Sequence, residues 1–310
     1  MKPLALLLLA VFLVSTAALF AHRALLEATP LAIAAWRLGL AALFFAGWGA
    51  VTAHSHSRKP QGGLATAPPA PLARIVWVRL AAAGLCLAGH FLVWFAALQV
   101  APVARATLLV CTTPLWTTLG GVLLRRHRFT WAYGGAGLLA AVGIGLVTRA
   151  SAQPTSAFAW QGDALATLGG VLFAAYLLSV EGLHVVVSSR RQVTVAYCVA
   201  AGALWAGYLA QGGMTVRYSA PVWGAILGMT IGPQILGHTL LNSLLRQFPS
   251  SVVAFSLLLE PLLAAILAWA LLGQTITGGQ AVGGVLVMAA LGLVIARQTA
   301  AERVCDEPVG

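Results

Sequence analysis

The chain is a succession of apolar runs, each near the length that crosses a bilayer as a helix, separated by short breaks rich in charge, proline or glycine. With about 20 residues needed per crossing, ten runs are read: 4–20, 31–53, 75–98, 103–124, 131–148, 163–182, 193–210, 221–242, 251–272 and 278–296. Composition excludes the soluble alternative, because 60% of residues are hydrophobic and 8% charged, against roughly 25% charged in a soluble domain. The predicted fold class is therefore all-α and integral to the membrane, with ten transmembrane helices, and the lipid bilayer is its first partner.

The net charge of +11 does not point to nucleic acid, whose binders gather Lys and Arg in a patch on a polar domain. Here the cations sit between apolar runs, which is a topology signal. With the N-terminus in the cytoplasm, Lys2, Arg58, Lys59, Arg74, Arg125, Arg126, Arg128, Arg190, Arg191, Arg246, Arg297 and Arg303 fall inside, against Arg23, Arg149 and Arg217 outside. That places a multi-pass protein in the inner membrane with both termini cytoplasmic. The first run, behind Lys2, reads as an uncleaved helix, since no small-x-small cleavage site follows it and further spans do.

Some features carry little chemistry. Cys86, Cys111 and Cys198 lie within apolar runs and Cys305 in the polar tail, with no paired spacing. The connection from His54 to Arg74 is rich in Pro and Gly and reads as a flexible loop; His54 and His56 there have no Cys, Asp or Glu nearby, so no metal site is expected. No GxSxG, HExxH, paired-Asp or phosphate-loop motif occurs, so neither an enzyme nor a cofactor is expected.

The chain repeats itself. A shift of 147 positions lays Pro102 on Pro249, Pro114 on Pro261, Leu124 on Leu271, Thr130 on Thr277, Gly137 on Gly284 and Gly145 on Gly292. Five spans separate the copies, an odd number, so the second copy is inverted relative to the first. The expected organisation is two inverted five-helix repeats, residues 1–150 and 151–300, followed by a disordered cytoplasmic tail over 301–310. Inverted repeats are a mark of secondary transporters, with the site near the midplane between the halves.

Polar groups inside membrane helices are costly unless paired or set against a wet cavity, so they mark where chemistry lies. Glu260 is the one acidic residue near the middle of a run, and Pro261 follows it. A carboxyl at that depth can exchange a proton with water when a cavity opens, or it can hold a neighbouring helix by a hydrogen bond. Gln234, His238 and Asn242 share one helix face at i, i+4 and i+8, and His238 is a second candidate for proton exchange. His90 and Trp94 have the same i, i+4 relation, and Thr112 and Thr113 precede Pro114. Trp94, Trp116 and Tyr176 offer rings for an apolar ligand or an ammonium, although Trp is commoner in the core or interfacial belt. Arg37 either binds a carboxylate or clamps helix ends through carbonyls. Pro114, Pro233 and Pro261 each leave a carbonyl four residues back without its usual partner, those of Val110, Met229 and Leu257.

These residues bear a resemblance. Ala96 to Pro102 leading to Thr113-Pro114-Leu115-Trp116, then Gly232-Pro233-Gln234, Gly237-His238-Thr239, Asn242 and Leu259-Glu260-Pro261 to Leu271-Leu272-Gly273, resemble the EamA branch of the drug/metabolite transporter superfamily. The similarity runs nearly the whole length and is strongest over 232–292. It implies ten helices, a central cavity, and ATP-independent export of amino acids, related metabolites or drugs by alternating access. Arg37 resembles the family's arginine in the second span, and Glu260 its Glu-Pro in the ninth. The chain departs where the family often has a Glu after Leu-Leu-Gly: His127 and Gln274 stand there. Exchange or uptake of an organic anion is the alternative that Arg37, Arg79 and Arg105 favour, and a non-transporting receptor or assembly subunit is the alternative of another class. Substrate, coupling ion and oligomeric state are left open.

Overall fold

Prolines and small hydroxyl residues decide where the apolar runs bend. The computed structural model describes residues 3–57, 73–101, 103–124, 130–150, 159–213, 217–272 and 277–306, and every expected run is helical within them. The first run forms α1 (Pro3–Ser15) and α2 (Ala17–Ala24), parted at Thr16, whose hydroxyl donates to the Leu13 carbonyl at 2.7 Å. α3 (Pro30–Ser57) and α4 (Arg74–Val100) follow. The fourth run is split into α5 (Val103–Val110) and α6 (Thr113–Leu123), and α7 (Trp131–Ala150) ends the first half.

The second half comprises α8 (Ala159–Val180), α9 (Ser189–Ala210), α10 (Ala220–Met229), a π-helical stretch (Thr230–His238), α11 (Thr239–Leu244), α12 (Ser250–Ser256), α13 (Leu259–Leu272) and α14 (Gly278–Asp306). Gly182, just past α8, and Gly212, just past α9, both take φ of 74°, the left-handed conformation that closes a helix and that glycine adopts without a Cβ penalty. α14 continues to Asp306, into the segment expected to be a disordered tail. His127 and Gln274 lie outside the described residues, as do the side chains of His54, His56 and Arg105.

By length and composition, Pro3–Ala24, Pro30–Gly49, Arg74–Val100, Trp160–Val185 and Ser189–Ala210 can each cross a membrane. The helices Trp131–Leu146, Ser250–Leu263 and Ala281–Val294 are shorter. Large apolar side chains face outward, Trp131 at 86% exposure and Leu43 at 71% among them, which suits lipid and not water.

The two halves pack as exchanged sets. α4 lies along α8, and its counterpart in the other half, the helix carrying the π stretch, lies along α1 and α2. α4 also meets α9, as α10 and the π stretch meet α3; α7 pairs with α14, and α3 with α9. Each of these contacts has a counterpart in the other half, and small residues let the backbones approach. A Cβ on Gly84 of α4 would come within 2.7 Å of the Ala196 carbonyl on α9, and one on Gly143 of α7 within 2.6 Å of the Gly283 carbonyl on α14.

The fourth and ninth runs break within one residue of the same place in the repeat, after Val110 and after Ser256, and the breaks meet: α12 packs on α6, α13 packs on α5, and the Cys111 thiol donates to the Leu257 carbonyl at 3.6 Å. Pro114 and Pro261 lie in the first turn of the helices that follow, where a missing N–H leaves nothing unpaired. The carbonyls that the prolines face have partners. That of Val110 accepts the Thr113 hydroxyl at 2.7 Å, and that of Leu257 accepts the Glu260 N–H at 2.9 Å as well as the thiol. The third proline, Pro233, sits inside the π stretch, whose i to i+5 pairing lets a carbonyl facing a proline reach the next N–H.

Candidate functional site

The crossing of the two breaks forms one wall of a small cavity. Arg37 projects from α3, His90 and Trp94 from α4, Thr113 from α6, His238 from the π stretch and Glu260 from the first turn of α13, and all six line it. Helix geometry explains the convergence: each group lies on the inward face of its helix, and the breaks bring the start of α13 to the bundle centre. The cavity holds about 30 Å³, room for one or two waters and too little for a metabolite in this conformation.

Arg37 is fully buried, at 0% exposure. Its Nε donates to Oε1 of Gln234 at 2.8 Å, and its guanidinium carbon lies 4.0 Å from the centre of the Phe91 ring. Neither Nη1 nor Nη2 has a hydrogen-bond partner. The Glu260 carboxyl lines the same cavity. A guanidinium so placed has lost its water and gained one hydrogen bond and an aromatic face, and its two terminal nitrogens are unused. The helix-end clamp considered from sequence is not formed, since the partner is the Gln234 side chain.

The other candidates divide into those on the cavity and those behind it. His90 holds its Nδ1 2.9 Å from the Gly169 carbonyl, which requires the proton on that nitrogen, and its ring lies parallel to Trp94 at 6.4 Å. His238 meets Phe91 and Phe173 edge-on at 5.4 and 5.5 Å. Tyr176 donates to Oδ1 of Asn242 at 3.2 Å and stacks on Phe173 at 5.5 Å, so this pair backs the cavity wall. Gln234 stands behind Arg37, and the Tyr197 hydroxyl donates to its main-chain carbonyl at 3.3 Å. Thr112 and Trp116 pair with each other, the indole N–H donating to the Thr112 hydroxyl at 3.0 Å, and are not part of the lining.

Phe91, Phe173 and Cys111 line the cavity without having been singled out in the sequence. An apolar ring in an apolar helix carries no mark of which way it faces. The cluster His90-Phe91-Trp94-Phe95 was the available signal, with Phe91 adjacent to His90.

A guanidinium, a carboxyl and two imidazoles against three aromatic walls can bind a small charged organic molecule and can pass a proton. Comparison with known proteins agrees with a transport fold. The model of the EamA-like transporter family matches residues 1–149 and again 160–296. A solved structure described as "Crystal structure of protein" superposes with a TM-score of 0.71 at 21% identity, covering 96% of this chain and 98% of its own; at that identity the likeness shows the fold. No curated protein matches the sequence. The chain belongs to the EamA-like transporter family, and it is accordingly a multi-pass membrane protein with the general function of a transporter.

Proposed function

We propose that the protein carries a small organic metabolite across the cell membrane by alternating access, without ATP, through the cavity between Arg37 and Glu260. Ten crossings arranged as two inverted repeats, with cytoplasmic termini, would put this cavity near the bilayer midplane. The observation that carries the reading is that a buried, under-satisfied Arg37 and Glu260 line one cavity where two broken helices cross. Such breaks supply a joint about which half of the bundle can rock while the site stays in place.

Glu260 is the group that exchanges a proton, with His238 next to it in the same cavity. Phe91, Trp94 and Phe173 hold the apolar part of the substrate, and Thr113 with His90 adds polar contact. Family relation favours export of amino acids or related small metabolites. The test is counterflow of radiolabelled metabolites in proteoliposomes, wild type against Glu260→Gln at two pH values. Exchange that loses its pH dependence in the variant supports the reading; folded wild-type protein that exchanges nothing across a broad panel contradicts it.

A further inference from the structure

The cavity and its surroundings are rich in donors that lack acceptors. Nη1 and Nη2 of Arg37, Nε1 of Trp94, Nε2 of Gln234 and Nδ2 of Asn242 are all buried without a hydrogen-bond partner. Those of Arg37 and Trp94 belong to lining residues. A native interior leaves few such groups, and the three on lining residues call for acceptor oxygens in the cavity, while those of Gln234 and Asn242 stand behind its wall. The two guanidinium nitrogens form a fork that matches a carboxylate in two parallel hydrogen bonds, and the rings of Phe91, Trp94 and Phe173 fit a flat or apolar remainder.

Charge then constrains what enters with that carboxylate. The empty site holds one fixed cation, Arg37, and one ionisable acid, Glu260. The other titratable groups lining the cavity are His90 from α4, Cys111 at the α5–α6 break and His238 from the π stretch, with Tyr176 from α8 and Tyr197 from α9 behind the wall. α1 contributes Val14 and α2 contributes Ala17 to the lining, with no titratable group. An ionised Glu260 and a substrate carboxylate would compete for the same guanidinium, and a second uncompensated anion in a desolvated space is costly.

Resting on the transporter reading above, we infer that the substrate is an organic monoanion, its carboxylate held on the Arg37 fork, and that one proton from water enters with it onto Glu260. Movement of one monoanion with one proton is electroneutral. The membrane potential neither drives nor opposes it, and its direction follows the combined gradients of the anion and the proton.

Calorimetric titration of the full-length protein in detergent, in buffers of different ionisation enthalpy, tests this with benzoate, benzylamine and phenylalanine as single-ring probes carrying −1, +1 and zero charge. Benzoate is expected to bind in preference to the others. Over the pH range where Glu260 of the free protein is ionised, binding should take up about one proton, and the affinity should fall about tenfold per pH unit. Glu260→Gln should bind benzoate with neither effect, and Arg37→Lys, which keeps the charge and loses the fork, should bind it at least about tenfold more weakly.

Preference for benzylamine or phenylalanine, or benzoate binding with no proton uptake across the pH range, overturns the inference and leaves the transporter reading in place. Proton uptake that survives Glu260→Gln and vanishes in His238→Gln overturns the assignment to Glu260. Binding of none of the probes to folded wild type also overturns the inference, and counterflow then decides separately whether the transporter reading falls with it.

Discussion

Nε of Arg37 donates to Oε1 of Gln234 at 2.8 Å, joining α3 to the π stretch across 197 positions of sequence. Gln234 thereby fixes the guanidinium over Phe91 and leaves its two terminal nitrogens for the cavity. A neutral amide is suited to this role, because a carboxylate in its place would take the whole fork.

Substitution at 234 should separate stability from transport. Gln234→Leu removes the acceptor and leaves Nε unpaired, lowering stability by about 1–2 kcal/mol. Gln234→Glu should unfold no earlier than wild type, yet lose exchange activity, since its carboxylate occupies Arg37. Thermal unfolding in detergent together with counterflow reads both effects.

Close helix approach makes a second prediction. A Cβ at Gly84 would lie 2.6 Å from the Val199 Cβ and 2.7 Å from the Ala196 carbonyl, so α4 and α9 must part. Gly84→Ala should cost about 1–3 kcal/mol. Gly135→Ala, which meets nothing within 4 Å, should leave the unfolding temperature of wild type unchanged.

Between α2 and α3, the Glu27 carboxylate accepts the Ser219 hydroxyl at 2.5 Å and its backbone N–H at 2.7 Å, at the start of α10. The hydroxyl first, and then the N–H, hold this carboxyl below the usual carboxylate range. A folded-state value lower than the unfolded one means the contribution to stability is present in full above the unfolded value, near pH 4.3 for Glu, and is lost as pH falls through the folded value. Thermal unfolding of wild type and Glu27→Gln should therefore differ at pH 7 and converge as the pH is taken below about 4.

How much of this was legible in the sequence depends on whether a residue's polarity betrays its position. Helix placement was legible, because apolar runs ending at charge or proline leave little freedom: the run 75–98 became Arg74–Val100, and 193–210 became Ser189–Ala210. The breaks before Thr113-Pro114 and Glu260-Pro261 were not read from the sequence, where these prolines marked only carbonyls without their usual partners. What periodicity cannot supply is the partner across the bundle. Gln234 shares a helix face with His238 and Asn242, yet one pairs with Arg37, one faces Phe91 and one accepts from Tyr176. Thr112 was indistinguishable from Thr113 as a string, but the hydroxyl of Thr112 turns back to the Leu109 carbonyl at 2.7 Å and to Trp116. Phe91 and Phe173 were invisible because an apolar ring looks the same facing lipid or ligand.

The most direct test of a single cavity opened in turn to each side uses the native thiol at its wall. Cys111 is 3% exposed and lines the cavity, so in a variant with Cys86, Cys198 and Cys305 replaced by Ser it reports access to the site. In membrane vesicles of each orientation, a charged, membrane-impermeant thiol reagent should modify Cys111 from either side, more slowly when an exchanging substrate is present. Modification from one side alone, or from neither, in protein that exchanges substrate would contradict alternating access through this cavity.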